Sequence, residues 1–205
     1  MIHPAYYVLS DSSSLYKGKG FGPRPSFGQS DIFRLLWNVK KRAGRQRLAR
    51  ALGVGEGSAR TMIESLRKKG LVDCAPMGVK LTEKGAKVAG KIDAGIGEEG
   101  WVAAGKLSYG KKAYGIRLKK KISKVIGLRD YAIRVGAEGA TFLEAKNGKW
   151  ILPGWGASTY VAELEKMGKR FEPNGMLAII FGKEEKETER AAWATALRAA
   201  GIISG

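Results

Sequence analysis

Between residues 30 and 92 the hydrophobic positions recur at helical spacing in four segments, separated by glycines and one short alternating stretch. Ser30 is a suitable N-cap for the first helix. Gly53-Val54-Gly55 separates the second helix from the third, because glycine can adopt the positive φ of a tight turn. The predicted inward residues of the three helices are, in chain order, Ile32, Leu35, Leu36, Val39, Leu48, Ala49, Leu52, Ala59, Met62, Ile63 and Leu66.

Two short strands and a fourth helix follow the third helix. Gly70 ends the third helix as a C-cap. Residues 71–74 and 79–81 are predicted to form the two strands of a hairpin. Thr82 then caps a helix that runs to about Ile92.

This order of helix, helix, turn, helix, hairpin and helix is that of a winged helix-turn-helix domain. The segment from Gly44 to Val72 resembles this family throughout, and Lys80-Leu-Thr-Glu-Lys-Gly85 resembles its strand that leaves the wing. A helix-turn-helix pattern alone gives false matches, so the hairpin and last helix in the right order decide the identification. We therefore predict a winged helix-turn-helix domain over residues 29–93.

The segments on either side of this domain have a different composition. Residues 1–28 are rich in serine, glycine and tyrosine, carry lysines, and are predicted to form a flexible basic arm. Residues 92–100 are glycine-rich, acidic and weakly periodic, so we place the domain boundary there. A second domain is expected over residues 101–205.

The second half of the chain alternates strands and helices. Asn147-Gly148 predicts a type I′ turn between two of the strands. The predicted strands are residues 101–107, 114–118, 140–145, 149–152 and 176–181, and the predicted helices are 125–135, 159–169 and 184–200. The predicted fold class is α+β, a winged helix-turn-helix followed by a small α/β domain with a mixed or antiparallel sheet.

The charge of the chain points to a polyanionic partner. There are 37 Lys+Arg against 19 Asp+Glu, a net charge of +18. Residues 1–92 hold 18 basic and 6 acidic side chains, and residues 93–205 hold 19 and 13. Nucleic acid is the expected partner, because it relieves the self-repulsion of such a charge. A solvated surface and an anionic membrane are the alternatives.

Other function classes are excluded by what the sequence lacks. No apolar run is long enough to span a bilayer, and no secretory signal is present, so we expect a cytoplasmic protein without membrane contact. One cysteine and one histidine leave no disulfide, no thiol cluster for zinc and no histidine-based triad. We predict no metal, no cofactor and no catalytic residues, and hence no enzyme.

The third helix is the expected reader of base edges, since it enters the major groove in this family. Arg60 is suited to a bidentate contact with a guanine edge. The alternative interpretation is that Arg60 and Arg67 only make an exposed helix face soluble. Glu56 and Glu64 on the same helix would repel phosphate. The predicted contact residues of this helix are Ser58, Arg60, Thr61, Ser65, Arg67 and Lys68. The predicted phosphate contacts outside it are Lys40, Lys41, Arg42, Arg45, Arg47, Arg50 and Lys80.

A second basic segment, the Lys106–Lys124 cluster, holds eight Lys/Arg and no acid, with Tyr109 and Tyr114 interleaved. Tyrosines among cations suit unpaired bases, whereas a lysine-rich strand edge that resists aggregation is the competing interpretation. The candidate nucleic-acid contacts here are Lys111, Lys112, Lys119, Lys120 and Lys121.

The second domain also resembles a known group. The stretch from Gly127 to Leu143, with the Arg129-Asp130 pair and Gly136-Ala-x-Gly-Ala-Thr141, is similar to archaeal proteins that fuse a winged helix to an uncharacterised C-terminal domain. The resemblance implies a transcriptional regulator and supplies no catalytic residues. We expect Arg129 and Asp130 to pair with each other rather than to bind a ligand.

Three functions therefore remain. The first is a DNA-binding transcriptional regulator whose C-terminal domain mediates homodimerisation or senses a ligand. The second is a factor bound to ribosomal or other structured RNA through the winged helix and the Lys106–Lys124 cluster. The third is a small-molecule kinase, since archaeal riboflavin kinases also carry a winged helix and residues 95–100 faintly resemble their glycine-rich loop. The Gly-Thr-Leu-Asn segment of those kinases is missing, which disfavours the third.

Overall fold

A computed structural model of the chain describes residues 27–40, 44–154 and 160–203. The predicted basic arm lies outside these residues, apart from Phe27 and Gly28. The chain divides into two compact units, the first ending at Ile92 and the second beginning at Asp93.

The first unit has the predicted order of elements, and the winged helix-turn-helix is confirmed. Three helices are followed by an antiparallel hairpin and a fourth helix. The bounds are α1 (Gln29–Val39), α2 (Arg45–Leu52), α3 (Glu56–Lys68), β1 (Val72–Ala75), β2 (Gly78–Leu81) and α4 (Glu83–Gly95).

The core of the first unit consists of the residues that the helical periodicity selects. Each predicted inward residue of α1, α2 and α3 is no more than 5% exposed. Leu71, Val72 and Val79 extend this core beneath the hairpin. Burial of these apolar side chains supplies the main stabilising free energy of the unit, at about 1.5–3 kcal/mol for each large side chain.

The glycine turn between α2 and α3 closes α2 as predicted. Gly53 has φ +62°, and its N–H donates to the carbonyl of Arg50 at 3.1 Å. The N–H of Val54 donates to the carbonyl of Ala49 at 3.1 Å. These bonds satisfy carbonyl groups that the end of a helix otherwise leaves unpaired.

One predicted cap is confirmed and another is wrong. Thr82 Oγ accepts the N–H of Gly85 at 3.0 Å and donates to the carbonyl of Gly70 at 2.7 Å, which ties α4 to the end of α3. Ser30, by contrast, lies inside α1, whose N-cap is Gly28. The reason is Asp31, whose carboxylate accepts the N–H of Gly28 at 2.8 Å and thereby fixes the start of the helix two residues earlier.

The second unit is built on a five-stranded antiparallel sheet in the order β3-β4-β7-β5-β6. The strands are β3 (Ile96–Val102), β4 (Lys112–Leu118), β5 (Gly139–Lys146), β6 (Lys149–Ile151) and β7 (Met176–Gly182). The helices are α5 (Val125–Arg134), α6 (Val161–Arg170) and α7 (Glu185–Ala199), and a 3₁₀ turn spans Gly105–Ser108.

The central strand β7 is buried along its whole length, because both faces of the sheet are covered. Leu177, Ile179 and Phe181 pack in one cluster with residues of α6 and the 3₁₀ turn. The intervening residues of β7 point to the other face, and α7 packs against β4 and β7. The predicted α+β class is therefore confirmed, with a fully antiparallel sheet.

The glycine-rich segment 92–100 is not a linker. Helix α4 continues to Gly95, and β3 begins at the next residue. Arginine side chains cross the strand at two of its glycines: a Cβ on Gly97 would lie 2.9 Å from the guanidinium of Arg117, and one on Gly100 would overlap Arg170. A larger residue at either position would require the arginine to move.

The strand predicted over residues 101–107 is also wrong beyond Val102. The chain leaves the sheet there and forms the 3₁₀ turn before β4 begins at Lys112. The Asn147-Gly148 turn between β5 and β6 is confirmed, since Asn147 has φ +51° and Gly148 has φ +69°.

Two glycines of α4 differ in the space that the fold leaves for a Cβ atom. A Cβ on Gly85 would overlap the carbonyl oxygen of Leu71, whereas nothing lies within 4 Å of a Cβ on Gly90. We expect Gly85→Ala to lower the free energy of unfolding by about 1–3 kcal/mol. Gly90→Ala should raise it by about 0.5–1 kcal/mol, because alanine favours the helix. Urea unfolding followed by circular dichroism measures both. Equal effects of the two substitutions would contradict this packing.

Candidate nucleic-acid interface

Helix α3 presents one polar face beside the hairpin. Its buried stripe fixes the rotation of the helix, so Arg60, Arg67 and Lys68 are exposed. Ser58, Thr61 and Ser65 are half-buried on the same helix. Thr61 Oγ donates to the carbonyl of Gly57 at 3.0 Å and keeps its oxygen available as an acceptor.

A groove of about 360 Å³ lies between α3 and the hairpin. Three arginines line it: Arg45 from the first turn of α2, and Arg60 and Arg67 from α3. Pro76 and Val79 from the hairpin form part of its opposite side. The fold thus brings together cations from two helices in one concave surface, where a polyanion would meet all three.

Arg60 is held by its neighbour on the helix. Its Nε donates to Glu64 at 3.1 Å, an (i, i+4) pair in which both side chains are more than half exposed. Such a pair contributes only about 0.3–0.5 kcal/mol, so an incoming phosphate or base edge can replace it. The terminal nitrogens of Arg60, which form the fork suited to a guanine edge, have no hydrogen bond within the described part of the chain.

The other predicted contacts of the first unit that the structure describes do not line this groove. Arg47 and Arg50 on α2 are exposed. Lys80 is exposed on β2, opposite Asp73 of β1, which reduces the local positive charge. The ammonium group of Lys40 packs 4.7 Å from the ring centre of Trp37. The predicted contacts Lys41 and Arg42 lie outside the described residues.

The sequence reasoning missed the end of the hairpin. Met77 stands at the turn between β1 and β2 and is 82% exposed. A single exposed apolar side chain is ordinary on a protein surface, but this one is available for contact with a partner. The available signal was methionine in a Pro-Met-Gly turn, where polar residues are usual.

Half of the cations of the Lys106–Lys124 cluster are paired with carboxylates from distant parts of the chain. Four of its cations form ion pairs, and Lys119 donates to the carbonyl of Asp93 at 2.6 Å. The pairs are Lys111 with Glu138, Lys112 with Glu185, Arg117 with Glu98, and Lys121 with Glu144. Tyr114 is 3% exposed and packs edge-on against Trp101, so it is not available to stack on a base.

In two of these pairs the cation lowers the pKa of the carboxyl group. The hydrogen bond from Lys111 lowers the pKa of Glu138, and that from Arg117 lowers the pKa of Glu98. Arg117 is the buried member of the second pair, with its side chain 8% exposed, and it donates to both carboxylate oxygens. Glu98 thus stabilises the charge of Arg117, which would otherwise be costly to bury.

Two features are absent from residues 27–40, 44–154 and 160–203. No helix among them is long and apolar enough to cross a membrane. They contain no group of three or more His, Cys, Asp or Glu side chains placed to hold a metal ion.

The two units match different family models. Residues 32–96 match the family model described as the CggR N-terminal DNA binding domain. Residues 109–201 match a domain of unknown function, DUF4443. The chain has the architecture of a DNA-binding regulator. The family match covers α2, α3 and the hairpin, and thus the whole groove.

A solved structure with the same fold covers both units. The hypothetical protein PH0730 from Pyrococcus horikoshii OT3 is 23% identical, with a TM-score of 0.64 over 84% of this chain and 92% of that chain. This likeness shows the fold alone. No protein with a curated description matches the chain.

The Glu98–Arg117 pair predicts an acid-sensitive contribution to the stability of the second unit. The pKa of Glu98 is lowered on folding, so the pair stabilises above about pH 4.5 and loses this effect as the pH falls through the lowered pKa. Glu98→Gln should cost roughly 0.5–1 kcal/mol at pH 7, because the Glu98 side chain is 47% exposed and solvent screens the pair, and the difference from wild type should shrink below pH 4.5.

Chemical denaturation at a series of pH values measures this difference. Glu165→Gln, at an exposed glutamate without an ion pair among the described residues, is the control and should show no such trend. A difference between Glu98→Gln and wild type that is independent of pH would contradict the assignment.

Proposed function

We propose that the chain is a transcriptional regulator that binds DNA by placing α3 in the major groove. The observation that carries this proposal is the groove between α3 and the hairpin, where Arg45, Arg60 and Arg67 converge. The DNA-binding family model that matches residues 32–96 supports DNA as the polyanion. The 18 basic against 6 acidic side chains in residues 1–92 supply the long-range attraction.

The contacts divide by what they recognise. Arg60 contacts a base edge. When a guanine replaces Glu64 as its hydrogen-bond partner, the planar guanidinium of Arg60 donates two parallel hydrogen bonds to that guanine. Arg45 and Arg67, together with Arg47, Arg50 and Lys40, hold phosphates and set the register of the helix. Met77 at the wing tip packs against sugar or base edges beside the site, which covers its exposed side chain.

The second unit mediates homodimerisation or senses a ligand in this proposal. A dimer would supply two copies of α3 for symmetric half-sites one helical turn apart. Light scattering at micromolar concentration, with and without an operator fragment, measures the oligomeric state directly.

The two rival functions have less support. An RNA-bound factor needs the cations of the Lys106–Lys124 cluster, and four of them are engaged by carboxylates. A kinase of the riboflavin type needs a glycine-rich loop at residues 95–100, where this chain has the end of α4 and the start of β3. The predicted contacts Lys111, Lys112, Lys119 and Lys121 are therefore left out of the proposed interface.

The test of this function is to recover the nucleic acid that the protein selects. Tagged protein is mixed at moderate salt with sheared genomic DNA and total RNA from its own source, and the bound fraction is sequenced. We expect a few discrete DNA loci that share a motif. Enrichment of ribosomal RNA that persists at this salt would overturn the proposal in favour of the RNA-bound factor.

Arg60 should determine sequence preference on the recovered site. Arg60→Ala should weaken specific binding by about 1–3 kcal/mol and relax the preference at one base pair. Lys40→Ala should weaken binding on every sequence and reduce the salt slope by about 1, since one phosphate contact is lost. Glu64→Gln should tighten binding on every sequence, because a carboxylate leaves the interface.

Fluorescence anisotropy with the operator and a scrambled duplex measures these effects, with Lys186→Ala on α7 as the exposed-lysine control. If Arg60→Ala lost the same affinity on both duplexes, Arg60 would be only a phosphate contact.

A further inference from the structure

The second unit contains a pocket that neither the sheet core nor the DNA-binding unit requires. Its volume is about 260 Å³, and it opens to solvent. Four parts of the fold build it: the 3₁₀ turn with the residues after it, the first turns of α5, the start of β5, and the chain that follows β6. Pockets for drug-sized ligands begin at about 300 Å³, so this volume suits a body of one or two rings.

Two cations and no carboxylate line the described part of this pocket. Arg129 has no hydrogen bond or ion pair within the described chain. We expected it to pair with Asp130, but consecutive residues of α5 project in different directions, and no such pair forms. Lys106 is the second cation, and its charge and backbone N–H also act on Glu163 outside the pocket.

The remaining lining is apolar and partly aromatic. Phe142, Leu152 and Tyr160 line the pocket together with Tyr109 and Ile126. Tyr109 and Ile126 are each 75% exposed, among the largest exposures of apolar side chains in the described chain. Tyr109 and Ile126 thus expose apolar surface in the pocket that Arg129 also lines, and a ligand with an apolar body would cover it.

Tyr109 also carries backbone strain. Its φ is +52°, in the left-handed region that a tyrosine rarely adopts. The conformation is held from both sides: Thr141 donates to the carbonyl of Leu107 at 2.7 Å, and the N–H of Gly110 donates to the carbonyl of Gly105 at 2.9 Å. Its ring lies 5.8 Å from that of Phe181 at a tilt of 58°. Strain of this kind is concentrated at ligand sites, where a side chain must be placed in advance.

We propose that this pocket binds a small organic anion with an aromatic body. The carboxylate or phosphate group pairs with Arg129, assisted by Lys106, and the ring lies among Tyr109, Phe142 and Leu152. Arginine suits this role because its planar fork binds either oxyanion in a bidentate geometry. The role of such a ligand as an effector rests on the proposed function, whereas the binding site itself does not.

Isothermal titration calorimetry on the full chain tests the site with defined probes. Benzoate, 2-naphthoate and 2-naphthyl phosphate are the anions, and 2-naphthylmethanol is the neutral match of 2-naphthoate. We expect at least one anion to bind, and 2-naphthylmethanol to bind at least about tenfold more weakly than 2-naphthoate, since it loses a charged hydrogen bond. Whether 2-naphthoate or 2-naphthyl phosphate binds more tightly identifies the anionic group that the pocket prefers. Failure of all three anions, or equal binding of the neutral match, would overturn the proposal.

Two variants locate the binding. Arg129→Gln should weaken the anions by about 10- to 100-fold, whereas Arg134→Gln, at an exposed arginine of α5 outside the pocket, should leave them unchanged. Tyr109→Asn should weaken binding without lowering the melting temperature, because asparagine tolerates a positive φ better than tyrosine. Loss of binding in Arg134→Gln to the same degree as in Arg129→Gln would overturn the assignment.

The effector role is measured separately from the site. DNA affinity for the recovered operator is compared with and without saturating 2-naphthoate, or whichever anion binds most tightly. A shift in wild type that is absent in Arg129→Gln is the expected result. Ligand binding without any operator would refute the proposed function and leave the site standing. Operator binding without ligand binding would refute the ligand site and leave the proposed function standing.

Discussion

The burial of one apolar stripe on α3 determines the surface on which the DNA-binding unit depends. Ala59, Met62, Ile63 and Leu66 are each no more than 5% exposed, so the helix cannot rotate about its axis without exposing them. With 3.6 residues per turn, the residues between them must face outward. Arg60 and Arg67 are consequently presented together beside the hairpin. The placement of both arginines beside the hairpin thus follows from hydrophobic packing on the opposite side of the same helix.

The two units hold similar numbers of lysines and arginines but different numbers of carboxylates. Residues 1–92 hold 18 basic and 6 acidic side chains, too few acids to neutralise the surface, and the positive charge remains available to a polyanion. Residues 93–205 hold 19 and 13, and four of these carboxylates, Glu98, Glu138, Glu144 and Glu185, form ion pairs among the described residues. The difference lies in pairing more than in the number of cations. The first unit therefore keeps a net charge of +12 and the second a net charge of +6, and among the described residues of the second unit Arg129 lines a pocket without an ion pair.

The second unit is organised by β7, which is buried on both faces. One face carries α6 and the 3₁₀ turn, and the ring of Phe181 on β7 reaches Tyr109 just after that turn. Tyr109 of the candidate ligand pocket therefore packs against the strand that is buried along its whole length. Its lining comes from segments that the chain adds at the ends of strands, which is where ligand sites are commonly built on a stable scaffold.

The sequence by itself determined the helices, the hairpin and the core of the first unit, because each depends on periodicity within a dozen residues and on local glycine and threonine chemistry. It also predicted the strands at β5, β6 and β7 and the turn at Asn147. Only the tertiary structure decided which cations are available. The carboxylates that occupy Arg117 and Lys112 lie 19 and 73 residues away, and no local pattern specifies such partners. The same holds for the glycines of β3, which resemble a linker until Arg117 and Arg170 are folded across them. Long-range packing sets the free energy of these contacts, and the sequence reveals packing only where it repeats at the period of a helix or a strand.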